Sequence, residues 1–549
     1  MKLPPSEDYN ALYRNFSWQM PQWFNIGHAV SDAWAEREPE RICLEHFSPQ
    51  GNHASLTYGE LARRSAAFAN ALTTLGVKSG DRVALLLPQC FETVVAHVAI
   101  YKMGAIALPL ALLFGVEALE YRLKVAGAAA IVTNAFGLER LRPIRDRLPG
   151  LVHVISIEGA EAGVEDFAEL VAAQSPVFPV LRTGPDDPAL MIFTSGTTGP
   201  PKGALHGHRV LLGHIPGMQF AHEGFPQPGD KVWTPSDWAW AGGLLNALLP
   251  SLFLGVPVVS SPAQKFDGHM AYRIMAEMKV RNAFIPPTAL RLLKSVDNPR
   301  ARYDLQLRTI GSAGEMLGRE TFEWTRATLG VTVNEFYGQT ECNFVLSSSA
   351  AFGVSRAGAT GKPVPGHRVA IVDETGRELA AGETGQIAIR RPDPVMFLGY
   401  WRDIEATAAK FVGDWLLTGD LGWRDADGYF TFVGRDDDVI TSSGYRIGPS
   451  EIEDCLIGHP AVQLAAVVGK PDPVRTEIVK AYVVLALGRK PSDALAAEIR
   501  DWVKTRLSMH EYPREIEFLE ALPLTTSGKV IRRLLRDRAA AEVPPASGR

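Results

Sequence analysis

"DRVALLLPQCFETVVAHVAIYKMGAIALPL", Asp81 to Leu110, holds a continuous apolar run, a stretch with apolar residues at helical spacing, and a second apolar run. A strand that is apolar at consecutive positions is buried on both faces, which is the condition of strands in a parallel sheet covered by helices. Upstream, "YGELARRSAAFANALTTLG" (58–76) is helical by spacing and stops at Gly76. Downstream, "GVEALEYRLKVAGAAAIVTN" (115–134) repeats helix then strand. Such alternation predicts α/β layers of the doubly wound kind.

The pattern changes further along. "HRVAIVDETGRELAAGETGQIAIR" (367–390) reads as strands joined by Asp/Gly turns, as in a small β-barrel-like lobe. "VQLAAVVG" and "IVKAYVVLAL" are β-rich and precede the helical "SDALAAEIRDWVKTRL", which predicts a small α+β domain at the end. Between the two lies "VGRDDDVITSSGYRIGPSEIE" (433–453), whose three aspartates and small residues predict an exposed, mobile connection. The expected organisation is an N-terminal domain over 1–435, with α/β subdomains to about 360 and the β-rich lobe over about 361–435. A mobile C-terminal α+β lid follows over 436–549, hinged near Asp437.

At 549 residues the chain exceeds one hydrophobic core. Its formal charge of −5 gives no global attraction to nucleic acid or anionic lipid. Cys43, Cys90, Cys342 and Cys455 are scattered, with neither a C-x-x-C pair nor zinc-ligand spacing, which predicts reduced thiols. The opening "MKLPPSEDYN" lacks the apolar core of a signal peptide, and the cytoplasm is the expected address. From Ala239 to Gln264 no residue is charged, but Asn246, Pro250, Gly255 and Pro257 divide the run into a buried helix, a turn and a strand, so no membrane insertion is expected.

One stretch carries chemistry: "MIFTSGTTGPPKGALHGHR" (191–209). Backbone amides without side chains, hydroxyl donors and one ammonium suit a polyphosphate, although most Gly/Ser/Thr runs are plain surface turns. The spacing fails both G-x-x-x-x-G-K-[ST] and G-x-G-x-x-G, excluding a P-loop NTPase and a dinucleotide fold.

At these residues the chain resembles the adenylate-forming superfamily of acyl-CoA synthetases, adenylation domains and luciferases. "EFYGQTE" (335–341), "LLTGDLG" (416–422), "GRDDDVITSSGYRIGPSEIE" (434–453) and "PLTTSGKVIRR" (523–533) follow in that family's order. The resemblance implies an ATP-dependent acid:CoA ligase that forms an acyl-adenylate, then an acyl-CoA, releasing AMP and pyrophosphate. ATP, Mg2+ and coenzyme A are the implied cofactor and cosubstrates. Loading of a separate carrier protein is the alternative, and a nucleotide-binding scaffold that lost the reaction is a third reading, opposed by the joint presence of Lys529, Asp420, Arg435 and Glu341.

By the same resemblance, Thr194, Ser195, Gly196, Thr197, Thr198, Gly199 and Lys202 surround the departing phosphates. Glu335, Phe336, Tyr337 and Gly338 run beside adenine, Thr340 touches the α-phosphate and Glu341 is the metal ligand. Gly314, Glu315 and Met316 border the nucleotide; Asp420 accepts the ribose hydroxyls, Arg435 donates to ribose, and Arg446 lies near the AMP phosphate. Without the resemblance these charged residues read as solvated surface groups. Lys529 matches the catalytic lysine, a target for a lysine acetylase and deacetylase, since acetylation would remove its charge. Asp437 matches the hinge, and Ser442, Ser443, Gly444 and Tyr445 would line the CoA path.

In the acetate-using branch bulky residues close the acyl pocket. Gly338, Ala241, Gly242 and Ala313 stand at those places here and are small, which implies a longer or bulkier acid: medium-chain, branched or aromatic. Trp238 and Trp240 wall the pocket in this reading, though both read equally as core aromatics. The overall look is that of medium-chain acyl-CoA synthetases of fatty acid metabolism.

Overall fold

A computed structural model of the chain describes residues 3, 8–194, 200–261, 266–435, 438–442, 445–472, 475–507, 512–525 and 529–542, with backbone alone at 441, 445 and 446. Asp81–Leu110 forms the strand Arg82–Leu86, the helix Phe91–Lys102 and the strand Ile106–Pro109, and the two strands pair in parallel. The helix Tyr58–Thr74 begins at a capping box, in which Thr57 and Glu60 each satisfy the other's backbone amide. The helix Val116–Ala126 ends at Gly127 in the left-handed region and hands the chain to the strand Ala130–Thr133.

Two large sheets result. One has eight strands, parallel through its centre, and its edge is turned antiparallel by the hairpin Pro188–Phe193/Gly203–Gly207. The other has nine strands, with five consecutive parallel pairings from Ile42–His46 to Val333–Gln339. Helices cover them, and the core between holds Phe68, Leu85, Val98, Leu211, Leu248 and Phe336, all buried. The uncharged run is part of that core: helical turns span Ala241–Phe253 and lead to the strand Val258–Ser260. Among the described residues no helix is long and apolar enough to cross a membrane.

Two smaller sheets complete the chain. Val369–Val372, Thr384–Arg390, Phe411–Val412, Trp415–Arg424 and Phe430–Arg435 make an antiparallel five-stranded sheet. Residues 440–518 make a separate five-stranded sheet around the long pair Val462–Asp472/Thr476–Leu485. The helices Pro449–Ile457 and Asp493–Arg506 pack on it over Ile440, Ile452, Val467 and Ile499. The helix Arg532–Ala541 also packs against it, through Leu535 and Ala539.

Candidate active site

The sheets meet around one cavity of about 670 Å³. Its walls come from four places: the carboxyl end of the nine-stranded sheet, the edge hairpin of the eight-stranded sheet, the antiparallel sheet, and the C-terminal unit. In open α/β folds that strand end is where ligands bind.

The hairpin Pro188–Phe193/Gly203–Gly207 brings the ends of the glycine- and hydroxyl-rich stretch to the cavity. Thr194 N–H donates to the Lys202 carbonyl at 2.9 Å and Lys202 N–H to the Thr194 hydroxyl at 3.2 Å, which closes the loop at its neck. Thr194, Pro200 and Lys202 line the cavity, and the Lys202 ammonium sits 5.3 Å from the Tyr400 ring. Ser195, Gly196, Thr197, Thr198 and Gly199 lie outside the described residues.

The strand Val333–Gln339 carries Glu335, Phe336, Tyr337, Gly338 and Gln339 to the wall, with Thr340 and Glu341 in the turn that follows. Gly338 is small for a backbone reason. A Cβ there would lie 2.3 Å from the Phe344 nitrogen and 2.6 Å from the Asn343 Cα, because the returning strand passes against it.

Asp420 is buried and pairs in register with Arg435 across two strands. The Tyr337 hydroxyl donates to Asp420 Oδ2 at 2.5 Å, Gln339 Nε2 donates to the same oxygen at 2.8 Å, and Arg435 Nε stands 3.9 Å from Oδ1. Burial pushes the Asp420 carboxyl above its ordinary range, while Tyr337, Arg435 and Gln339 pull it back. This gives a carboxylate with its orientation fixed by two donors, a guanidinium beside it and one face toward the cavity.

Glu341 is buried and accepts a hydrogen bond from the Tyr400 hydroxyl. Lys410, also on the wall, donates to the Thr418 carbonyl at 3.4 Å; burial draws its pKa down, and Glu341 and Asp420 pull it back up. On the far side the Glu315 carboxylate accepts from the Thr288 hydroxyl at 2.8 Å and lies 3.4 Å from Arg291, which also donates to the Met316 carbonyl. Glu335, buried at the wall, accepts from the Leu317 amide at 3.3 Å, and burial raises its pKa to about 8.

Lys529 enters from the C-terminal unit. Its amide donates to the Thr525 hydroxyl at 3.0 Å and its carbonyl accepts from the Thr525 amide at 2.7 Å, which ties Lys529 to Thr525 by two bonds. Its Cε lies 3.7 Å from where a Cβ of Gly314 would be. The side chain keeps solvent contact, yet the protein mass around the cavity strips its hydration and draws its pKa below that of an ordinary lysine; Glu315, Asp420 and Glu341 oppose this.

The cavity therefore gathers Thr194, Lys202, Gly314, Glu315, Met316, Glu335, Phe336, Tyr337, Gly338, Thr340, Glu341, Asp420, Arg435 and Lys529 from segments hundreds of residues apart. It does not gather most of the residues read as the acyl pocket; only Gly338 lies on its wall. Trp238 is buried in the main core with Ala313. Trp240 packs edge-on against Phe114 at 5.7 Å, Ala241 packs on the main core, and Gly242 faces the Phe284 ring. Ser442 is buried at a strand pairing with Tyr445, away from the cavity, and Arg446 is paired with Thr441. Asp437, Ser443 and Gly444 lie outside the described residues, as do the side chains of Tyr445 and Arg446.

Gln339, Tyr400, Lys410, Thr288 and Arg291 line the site without having been singled out from sequence. Gln339 lies inside a recognised motif, and nothing in the sequence near the other four marks them.

Comparison with known proteins accords with this geometry. The family described as "AMP-binding enzyme" matches residues 31–401, and "AMP-binding enzyme C-terminal domain" matches 451–529. The chain is similar to an acetyl-coenzyme A synthetase of Bacillus subtilis, 34% identical over 546 residues that cover 96% of this chain and 95% of that one. It is also similar to the human mitochondrial acyl-coenzyme A synthetase ACSM2B, 34% identical with 95% and 92% covered. Among solved structures, the anthranilate CoA ligase AuaEII in complex with anthranoyl-AMP superposes with a TM-score of 0.88 at 29% identity, covering 95% of this chain and 98% of that one.

Proposed function

The chain belongs to the AMP-binding enzyme family, and from that premise we propose that its cavity activates a carboxylic acid larger than acetate. The coarser activity is that of an AMP-forming acyl-CoA synthetase, which uses ATP, Mg2+ and coenzyme A and passes through an acyl-adenylate. An acid cannot expel oxide, whereas an acyl-adenylate expels AMP, a stable monoester.

The observation that carries the assignment of roles is the convergence of Lys529, Asp420, Arg435 and Glu341 on one cavity. Asp420, oriented by Tyr337 and Gln339, is placed to accept hydrogen bonds from a pair of ribose hydroxyls. Lys202 and the neck of the phosphate loop screen the polyphosphate end. Lys529 places an ammonium between the incoming carboxylate and the phosphorus, where negative charge shifts in the transition state. Among the described residues no group of three or more His, Cys, Asp or Glu side chains is arranged to hold a metal ion. A single carboxylate, Glu341, fits Mg2+, which takes one or two carboxylates and completes its shell with phosphate oxygens and water. Bound there, the ion neutralises phosphate charge.

The size of the acid rests on what backs the cavity. Phe336 lies on the cavity wall beside Gly338, its ring 5.4 Å from that of Phe284, and Gly242 lies against Phe284. An aromatic ring on the wall with a second ring beside it favours an apolar acyl group, at about 0.8 kcal/mol per buried CH2. The named specificity of AuaEII for an aromatic acid points the same way. Residues 1–435 act as the adenylating body and 436–549 as a lid in this reading, and the unpaired thiols of Cys43, Cys90, Cys342 and Cys455 suit a reducing cytoplasm.

ATP–pyrophosphate exchange that depends on free acid tests the first half-reaction, and free CoA as acceptor tests the second. Exchange without thioester formation from CoA would redirect the second step to a carrier protein; absence of exchange with every acid would remove the proposal.

A further inference from the structure

The helix Arg319–Leu329 begins with Gly318 at its cap position, so it has no side chain of its own to satisfy its first amides. The missing carboxylate comes from the C-terminal unit. The Arg319 amide donates to Asp454 Oδ2 at 3.0 Å, although the two residues are 135 positions apart. The fit leaves no spare room: a Cβ on Gly318, whose φ is +80°, would lie 1.9 Å from Asp454 Oδ1. A negative side chain at a helix N-terminus also meets the positive end of the helix dipole.

Position ties this contact to Lys529 by two short routes. The loop 314–318 meets Lys529 at its first residue and Asp454 at its last. Glu453, the neighbour of Asp454 on the helix Pro449–Ile457, accepts from Arg532 at 2.6 Å, three residues after Lys529, and its other oxygen accepts from the Val467 amide at 2.8 Å. The helix thus faces the N-terminal body with Asp454 and holds the Lys529 segment with Glu453.

We propose that Asp454 is a positioning residue: it caps the helix Arg319–Leu329 across the domain junction and so holds the C-terminal unit in the orientation that places Lys529 in the cavity. This rests on the adenylating role assigned to Lys529. A contact made across the junction lasts only while the C-terminal unit keeps this orientation, so its loss should weigh on the half-reaction that needs Lys529 in the cavity more than on the other.

The test measures each half-reaction separately. The first is pyrophosphate release without CoA, from ATP and octanoate or benzoate, whichever the enzyme accepts. The second is thioester formation from CoA and the chemically made adenylate of that acid. Asp454→Ala should lower the first about fivefold relative to the second, the usual scale of losing a helix cap. Asp454→Asn, which keeps an acceptor oxygen, should recover most of that loss. Hydrogen exchange read at residues 319–322 should quicken by a similar factor in Asp454→Ala, and this readout does not depend on what Lys529 does. Equal loss in both half-reactions, or unchanged exchange at 319–322, would overturn the proposal. Lys529→Ala is run beside it: if adenylation survives that change, the role of Lys529 fails while the exchange result still decides the cap.

Discussion

Replacing Lys529 by Gln keeps length and polarity and removes the charge, as acetylation would. The ammonium faces Glu315, Asp420 and Glu341 across the cavity, with Arg435 as the opposing cation, and its backbone is bonded twice to Thr525. Two unit charges at about 4 Å in an effective dielectric of about 20 interact by about 4 kcal/mol. Removing one preorganised donor from a developing oxyanion costs about 10²–10³ in rate. Both routes lead to a loss of about 10²–10³ in acyl-adenylate formation, measured as pyrophosphate release without CoA. Thioester formation from preformed adenylate should fall far less. The pH profile gives a second sign. The protein mass around the cavity strips hydration from Lys529 and lowers its pKa, the protonated form is the active one, and so wild-type adenylation should decline on the alkaline side below the ordinary lysine range. Lys529→Gln should lack that limb in its residual rate. A loss under tenfold, or the same alkaline limb in the variant, would refute the reasoning.

Other consequences follow from the same geometry. Glu335, with a folded-state pKa of about 8 against 4.5 for the free side chain, is protonated in the native state over a range where the unfolded chain is ionised. Stability is therefore full below about pH 4.5 and is lost as pH rises toward 8, by about 1.4 kcal/mol for each unit. Glu335→Gln should match wild type in thermal unfolding near pH 5 and exceed it at pH 8.5. Asp420→Asn leaves Tyr337, Gln339 and Arg435 without their common anion and should raise the KM for ATP at least tenfold, by initial-rate kinetics. Tyr400→Phe frees the Glu341 carboxylate from its fixed orientation and should raise the Mg2+ concentration needed for half-maximal rate. Gly338→Ala drives a methyl into the 343–344 backbone and should cost about 1–3 kcal/mol in denaturant unfolding, whatever the acid.

Much of the architecture is legible in local pattern. Apolar runs alternating with helical spacing, as in Arg82–Leu86, Phe91–Lys102 and Ile106–Pro109, announce parallel pairing because only strands covered on both faces can be apolar throughout. Ordered motifs carry most of the cavity wall. What escapes is contact between distant segments. Tyr400 meets Glu341 and Asp454 meets Arg319 across 59 and 135 positions, and neither partner signals the other. Small residues mislead for a related reason: Gly338 is a glycine for the backbone behind it, and Gly242 faces the Phe284 ring, so neither by itself measures room for a substrate. Trp238 and Trp240 sit among other apolar side chains, where large aromatics gain most by burial.

The size of the acid is the central claim, and one series measures it: AMP release in the presence of ATP, Mg2+ and CoA, across straight acids from two to twelve carbons, branched acids and aryl acids. The aromatic pair Phe336–Phe284 at the cavity wall predicts a kcat/KM that rises at least tenfold from acetate to the best longer or aromatic acid. Acetate as the preferred substrate would contradict it.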